Sequence, residues 1–350
     1  MSTVFERLAP GARVAVIRLR SLGDCVLTTP AISLLKQARP DLRVAVVVED
    51  AFAPIFAGNP DIDCLLRPSV SEIFRFRPNL ALNLHGGATS ARLTVASRAS
   101  LRAGFQHFRF KQIYNVHIPR AQEILHVDRK VHTAEHLASA VFFLGAPMDL
   151  RPTKKRLAGG NACPTLSSQV GQALPPANSV FNATQPSFIP RASLFANQQI
   201  RPRPYAVLHP MASAPDKIWP HSNFLALADH IERSLGLEPI FISGPAQSLQ
   251  AFSRYTRFEG ASLEEIKSLL AGASLFVGND SGPAHMAAAF GLPVIVLFGS
   301  SDPDIWRPWQ TESVVLTAEA GIQSIGVNQA VQAIETVLSP QPTTHIPQPQ

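Results

Sequence analysis

Short apolar runs rich in β-branched residues alternate with stretches of helical periodicity in two tandem blocks, and that rhythm leaves the chain few folds to adopt. Arg13–Leu19 (RVAVIRL) and Leu42–Val48 (LRVAVVV) are apolar runs of the kind that strands covered on both faces require. Leu80–Leu84 reads as a third strand, ending at the Gly86-Gly87 turn. Between the first two runs, Ala31, Ile32, Leu34, Leu35 and Ala38 fall at helical spacing. Thr28 or Thr29 is placed to cap that helix, with Pro30 in its first turn. Thr133–Leu144 predicts a further helix, stopped by Gly145 and Pro147.

The second block repeats the pattern. Tyr205–His209, Pro239–Ser243, Leu275–Gly278, Val294–Phe298 and Val314–Thr317 read as strands; Ser222–Leu235, Ser262–Ala271 and Ala284–Phe290 read as helices. Alternation twice over predicts an α/β chain of two Rossmann-like domains with parallel sheets, spanning 1–156 and 203–338. Ligands of such sheets bind outside the carboxyl ends of the strands, so the domains are expected to face one another across a cleft. Leu157–Pro190 carries no charged residue and several prolines, and 157–202 reads as a linker; 339–350 (SPQPTTHIPQPQ) reads as a disordered tail.

Composition narrows the class. Cys25, Cys64 and Cys163 are too scattered for a disulfide framework or a zinc site, which favours a reducing, cytoplasmic compartment. The N-terminus has charge within each apolar run, unlike a signal peptide. Ser281–Ser301 is uncharged and long enough to span a membrane, yet Gly282, Pro283, Gly291 and Pro293 break it. It reads as a buried helix, a turn and a buried strand. The net charge of +6 is uneven: 22 Lys/Arg against 12 Asp/Glu in 1–156, and 9 against 13 beyond. The basic half either meets an anionic partner, such as a phosphorylated glycolipid or a membrane surface, or is ordinary solvated surface. No aromatic-and-basic motif accompanies the charge, so nucleic acid is not expected as a partner.

Four loops after predicted strands carry candidate chemistry. In RLRSLGDCVLTTP (Arg18–Pro30), Gly23 permits a close approach, and Asp24 sits in the loop before the predicted helix. Its carboxylate either takes a proton from an attacking hydroxyl or merely orients the helix. In HPMASAPDKIWP (His209–Pro220), Lys217 suits a phosphate oxygen and Ser213 adds a hydroxyl, while Trp219 reads as core. In GNDSGPAHMAAAFGLP (Gly278–Pro293), Asp280, Ser281 and Gly282 precede a helix N-terminus, an anion site suited to a diphosphate, with His285 on its first turn. The alternative is that Asp280 and Ser281 only cap the helix and His285 is a core histidine. FGSSDPDIWRPW (Phe298–Trp309) reads as a structural loop at least as readily as a ligand contact.

Other chemistries lack their motifs. GxGxxG and GxxxxGK[ST] are missing, which argues against a nicotinamide dehydrogenase and an ATPase. There is no HExxH. Asp61-Ile62-Asp63 and Asp302-Pro303-Asp304 match the letters of a metal-holding DxD, but both read as turns.

Taken in order, IRLRSLGDCVLTTPAISLLKQARP, HPMASAPDKIWP and LAGASLFVGNDSGPAHMAAAFGLPVIVLFGSSDP closely resemble the lipopolysaccharide heptosyltransferases, glycosyltransferase family 9, over about 12–150 and 203–318. The resemblance implies a GT-B fold, a donor nucleotide-diphosphate sugar on the C-terminal domain, and an anionic glycolipid acceptor on the N-terminal one. It implies inverting transfer of a heptose from ADP-heptose to a lipopolysaccharide core or related envelope glycan, with no obligatory metal or other cofactor, at or near the cytoplasmic face of the inner membrane. Asp24 matches the family's general base; Lys217 and Ser213 match its donor-phosphate motif; Asp280, Ser281, Gly282 and His285 match its D-[ST]-G-x-x-H group. Where the family often carries an acid for the donor ribose, this chain has Ala246, Gln247 and Ser248, so Gln247 is the expected ribose contact. Arg18, His85 and Gly86 are assigned to the acceptor side, although His85-Gly86-Gly87 also reads as a plain turn. Two other readings of such a scaffold are a nucleotide-sugar epimerase or hydrolase and a non-catalytic carbohydrate-binding protein.

Overall fold

The computed structural model describes residues 2–150 and 203–339. The first sheet comprises β1 (Arg13–Ile17), β2 (Arg43–Val47), β3 (Cys64–Leu66), β4 (Leu80–Asn83), β5 (Leu101–Phe105) and β6 (Val116–Ile118), in the order β3-β2-β1-β4-β5-β6. The second comprises β7 (Tyr205–His209), β8 (Glu238–Ile242), β9 (Thr256–Phe258), β10 (Leu275–Asn279), β11 (Val294–Leu297) and β12 (Ser313–Leu316), in the order β12-β11-β10-β7-β8-β9. Every pairing is parallel. The two orders are the same winding: the chain starts centrally, steps outward twice, returns, and steps outward the other way. Each sheet therefore has one switch point, between β1 and β4 and between β7 and β10, where ligands of wound sheets bind.

Burial explains why the central strands read so clearly. Val14 to Ile17, Val44 to Val47 and Ala206 to Leu208 are essentially inaccessible, as strands covered on both faces must be. In the first domain α1 (Leu22–Ala38) and α6 (Thr133–Leu144) pack together on one face. Ile73 of α3 (Val70–Phe76) and Leu93 of α4 (Ala88–Ala96) join Ala15, Ile17 and Val47 in a separate apolar cluster. The short α2 (Ala53–Phe56) and α5 (Ala121–Leu125) complete this domain. The second domain carries α7 (His221–Leu235), α8 (Leu263–Ala271), α9 (Gly282–Ala289), α10 (Pro303–Trp306) and α11 (Val327–Leu338).

Several expectations change. Helix α1 begins at Leu22, well before Thr28, so Asp24 lies in its first turn and not in a loop ahead of it. The Thr-Thr-Pro string imitates a helix start but is interior. Pro30 has no N–H to offer the carbonyl of Val26, and the Thr29 hydroxyl donates to that oxygen instead, at 2.8 Å. The sequence pattern also passed over β3, β6 and β9, three-residue strands, and β5, which contains Arg102 and Gly104. Gly104 is needed there: a Cβ would lie 2.6 Å from the Tyr114 ring. Ser281–Ser301 does form helix, turn and strand, and no described helix is long and apolar enough to cross a membrane. The linker expected at 157–202 and residues 340–350 of the expected tail lie outside the described residues.

The domains meet along α1 and α9. A side chain on Gly282 would overlap Leu22, and one on Gly23 would lie 2.9 Å from the His285 ring. Three polar contacts flank this seam. Lys267 donates to the Pro54 carbonyl at 2.6 Å, Lys130 pairs with Asp302 at 2.7 Å, and His132 meets the Arg307 carbonyl at 2.9 Å.

Candidate active site

The loops that leave β1, β4, β7 and β10 hold most of the expected site residues, and all four flank a switch point. On the first domain, Ser21 is the N-cap residue of α1, and its hydroxyl donates to Asp24 Oδ2 at 2.9 Å. The other carboxylate oxygen lies 3.5 Å from Arg18 Nη1. Asp24 keeps part of its surface open, whereas the Arg18 side chain is only 7% exposed. Burial pulls the Arg18 pKa below its ordinary value, and the Asp24 charge opposes that shift. Arg18 was assigned to the acceptor. The fold turns it inward against Asp24, leaving little open surface for a ligand.

Beside it, His85-Gly86-Gly87 is a turn built around Asn83. The Asn83 side-chain oxygen accepts from the N–H groups of His85 and Gly86 at 2.9 and 3.1 Å. Its amide nitrogen donates to Thr94 Oγ1 and Tyr114 OH. A fully buried amide with four partners holds a loop in one shape. Gly86 takes φ +79°, and the Phe108 ring occupies the place of its missing side chain. Burial and the nearby Arg18 charge push the His85 pKa down.

On the second domain, Asn279 does the same work at the end of β10, the strand that corresponds to β4. Its oxygen accepts from Trp219 N–H at 3.1 Å, and its nitrogen donates to the Pro210 carbonyl at 2.9 Å. The loop that carries Lys217 is thus tied at both ends. Trp219 is core, as expected: it is fully buried and donates from Nε1 to the Ile325 carbonyl. Lys217 sits in a single 3₁₀ turn with its ammonium 3.7 Å from Asp280 Oδ2. Gly299 allows this turn to lie against the loop after β11, because a Cβ there would overlap the Asp216 carbonyl. Ser213 lies exposed in the approach to the turn.

Helix α9 starts at Gly282 with no side-chain cap. The Ser281 hydroxyl is engaged elsewhere: it donates to the Asn279 carbonyl at 2.9 Å and lies 3.0 Å from His209 Nδ1, which must then carry the proton. Complete burial holds His209 at a pKa of about 4, so the ring is neutral. The positive end of α9 is therefore left without a side-chain acceptor. His285, expected beside the donor, is buried in the seam against Gly23; burial lowers its pKa to about 4, with Asp24 acting the other way. Gln247 has its side-chain oxygen on the Gly244 N–H at 3.2 Å, closing the loop after β8.

Neither Asp-x-Asp string is arranged for a cation. Asp63 is held by Lys36 at 2.9 Å and by the Val44 N–H, while Asp302 caps α10 and pairs with Lys130. No cluster of three metal-ligating side chains occurs among the described residues. Arg18, Asn83 and Asn279 were the positions whose supporting roles the sequence did not reveal. Each looks like any polar residue at a strand end.

Two wound sheets joined at α1 and α9, with a carboxylate at one switch point and a cation beside an uncapped helix end at the other, make a GT-B group-transfer scaffold. The model of glycosyltransferase family 9 (heptosyltransferase) matches residues 75–329, and the chain belongs to that family. It is accordingly a glycosyltransferase. Lipopolysaccharide heptosyltransferase 3 of Escherichia coli K12 is 28% identical over 85% of each chain. Lipopolysaccharide heptosyltransferase 1 of Salmonella typhimurium is 25% identical over 84% of this chain and 90% of the relative. Among solved structures, a family 9 glycosyl transferase from Veillonella parvula has a TM-score of 0.72 at 20% identity, covering 93% of this chain and 97% of its own. E. coli heptosyltransferase WaaC with ADP has a TM-score of 0.70 at 20% identity, covering 93% and 99%. At these identities the structural likeness establishes the fold.

Proposed function

We propose that the chain transfers a heptose from ADP-heptose to the core of a lipopolysaccharide acceptor, with inversion at the anomeric carbon. The names of its relatives support the sugar and the acceptor class. E. coli heptosyltransferase WaaC, solved with ADP and with ADP-2-deoxy-2-fluoro heptose, supports the donor class. The observation that carries the reading is the placement of Asp24: oriented by Ser21 and Arg18, it stands on α1 where that helix meets the N-terminus of α9.

The acceptor hydroxyl oxygen forms a bond to the anomeric carbon while its proton passes to Asp24. The bond from that carbon to the diphosphate oxygen breaks, and the electron pair leaves with the diphosphate. Lys217 and the N–H groups at the start of α9 stabilise the charge that develops there. Lys217 exchanges its contact with Asp280 for the phosphate, and Gln247 offers its NH₂ to the ribose, its oxygen being committed to Gly244. No metal takes part in the proposed step. Reaction takes place on the cytoplasmic side of the inner membrane, where nucleotide sugars are held.

The test is to incubate the protein with ADP-heptose and a heptose-deficient lipopolysaccharide acceptor, and to analyse the product by mass spectrometry. One heptose is expected to be added. Asp24→Asn should lower kcat by about 10²–10⁴-fold while calorimetry shows donor binding retained. Near-normal transfer by Asp24→Asn would refute the assigned base. A change in ADP-heptose without any acceptor would point to an epimerase or hydrolase instead.

A further inference from the structure

The outer face of α3 and α4 is unlike the rest of the first domain's surface. Val70, Phe74 and Val95 are 45%, 43% and 53% exposed, three of the few large apolar side chains so open among the described residues. Val70 and Phe74 are one helical turn apart, and α3 packs on α4. The Arg98 guanidinium, just past α4, lies 5.2 Å from the centre of the Phe74 ring, which ties the two helices' exposed groups into one patch. Arg75 and Arg92 are exposed on the same two helices. Glu72 is the only acid in either helix, and its carboxylate already accepts from the Arg67 N–H at 2.7 Å.

We infer that this face docks on an anionic lipid bilayer. The inference rests on the reading above, because a lipid-borne acceptor is what such docking serves. Charge complementarity selects the occupant. Apolar side chains set among arginines suit a headgroup layer, where the rings and branched chains reach the acyl boundary and the guanidinium groups stay with the phosphates. A second copy of the chain suits it poorly: a two-fold interface would place the patch against itself and bring Arg75, Arg92 and Arg98 against their own equivalents. The patch is also well placed. It lies across the sheet from α1, whose other neighbour α9 belongs to the donor-binding domain. Docking therefore leaves the second domain clear of the membrane. Helix α4 runs from the His85–Gly87 turn at the switch point away to the patch, whose Val95 and Arg98 lie at its far end near the amino edge of the sheet, so docking there leaves the cleft unobstructed.

The test is co-sedimentation of the full chain with vesicles of phosphatidylcholine, with and without phosphatidylglycerol. Binding is expected only with the anionic lipid, and it should vanish in 1 M salt, where the screening length is about 3 Å. Arg92→Glu/Arg98→Glu and Phe74→Ser/Val95→Ser should each weaken binding by about tenfold or more. All four positions are exposed, so the melting temperature should hold. Wild-type binding to neutral vesicles alone, or full binding by both double variants, overturns the inference. So does a dimer in sedimentation equilibrium that the Phe74→Ser/Val95→Ser variant breaks. Transfer to a soluble, delipidated acceptor separates this idea from the proposed function. It should persist in every variant, and its absence from the wild type would count against the transferase reading alone.

Discussion

Arg18 spends its charge inside the protein. Moving a guanidinium out of water is unfavourable, and here Nε has no partner at all, so the fold keeps a destabilising group where an apolar one would fit. The nearest compensation is Asp24, at 3.5 Å, and Asp24 is itself partly solvated. A residue retained against stability is best explained by what it holds, and Arg18 and Ser21 between them hold both carboxylate oxygens. Arg18→Met is therefore expected to leave the melting temperature unchanged or higher while lowering kcat by about 10–100-fold through loss of positioning. The donor KM should stay close to normal. Differential scanning calorimetry and initial rates decide it; a variant that loses stability and activity together would make Arg18 structural. Asp24, Lys217 and Asp280 could be picked out of the sequence because each follows an apolar strand and precedes a helix. The inward turn of Arg18 could not, because ring groups it lies near, His136 of α6 and His85 after β4, are remote in the chain. Asn83 and Asn279 were hidden for the same reason: their partners Tyr114 and Trp219 lie 31 and 60 residues away.

At the scale of elements, legibility followed burial and length. The four- and five-residue strands at the sheet centres are apolar along most of their length, with polar residues only at their ends, and were found to within a residue or two. The three-residue strands at the edges, β3 and β9, are only partly buried, so no apolar run marks them. The start of α1 was misplaced because Thr-Thr-Pro is a good helix opening when judged locally. Only the geometry shows the Thr29 hydroxyl bonding the Val26 carbonyl that Pro30 leaves unpaired. That substitution of one donor for another is testable. Thr29→Val keeps the shape and removes the hydroxyl, leaving a buried carbonyl without a donor. Urea denaturation should show a loss of about 1–3 kcal/mol. Thr29→Ser, which restores the hydroxyl, should recover part of it. A Thr29→Val protein as stable as the wild type would mean that the carbonyl finds another donor.

The molecule as a whole depends on a seam that carries two neutral histidines. His132 is one. Its Nδ1 accepts from the Ala134 N–H at 3.1 Å, so Nε2 holds the proton and donates to the Arg307 carbonyl across the seam. Its ring stacks on Trp309 at 4.5 Å. His285 is the other, buried against Gly23. Burial holds both at a pKa of about 4, although Glu135 favours the charged form of His132 and Asp24 that of His285. The unfolded or separated chain titrates near 6.5. The sign follows: the open form takes up protons first as pH falls. The seam's contribution is complete above about 6.5 and is lost progressively as pH falls toward 4. Charging His132 also places a proton on Nδ1, facing the Ala134 N–H. His136 and His209, likewise held at about 4 by burial, weaken their own domains from within. The seam is therefore read by domain separation and not by melting. Between pH 7 and 4.5 the radius of gyration from small-angle scattering should rise while far-UV circular dichroism retains its helical signal. His132→Asn/His285→Asn has no imidazole to charge there, and its radius should change little over that window. Equal expansion of variant and wild type would place the acid-sensitive contact elsewhere, with the Lys130–Asp302 pair as the next to remove.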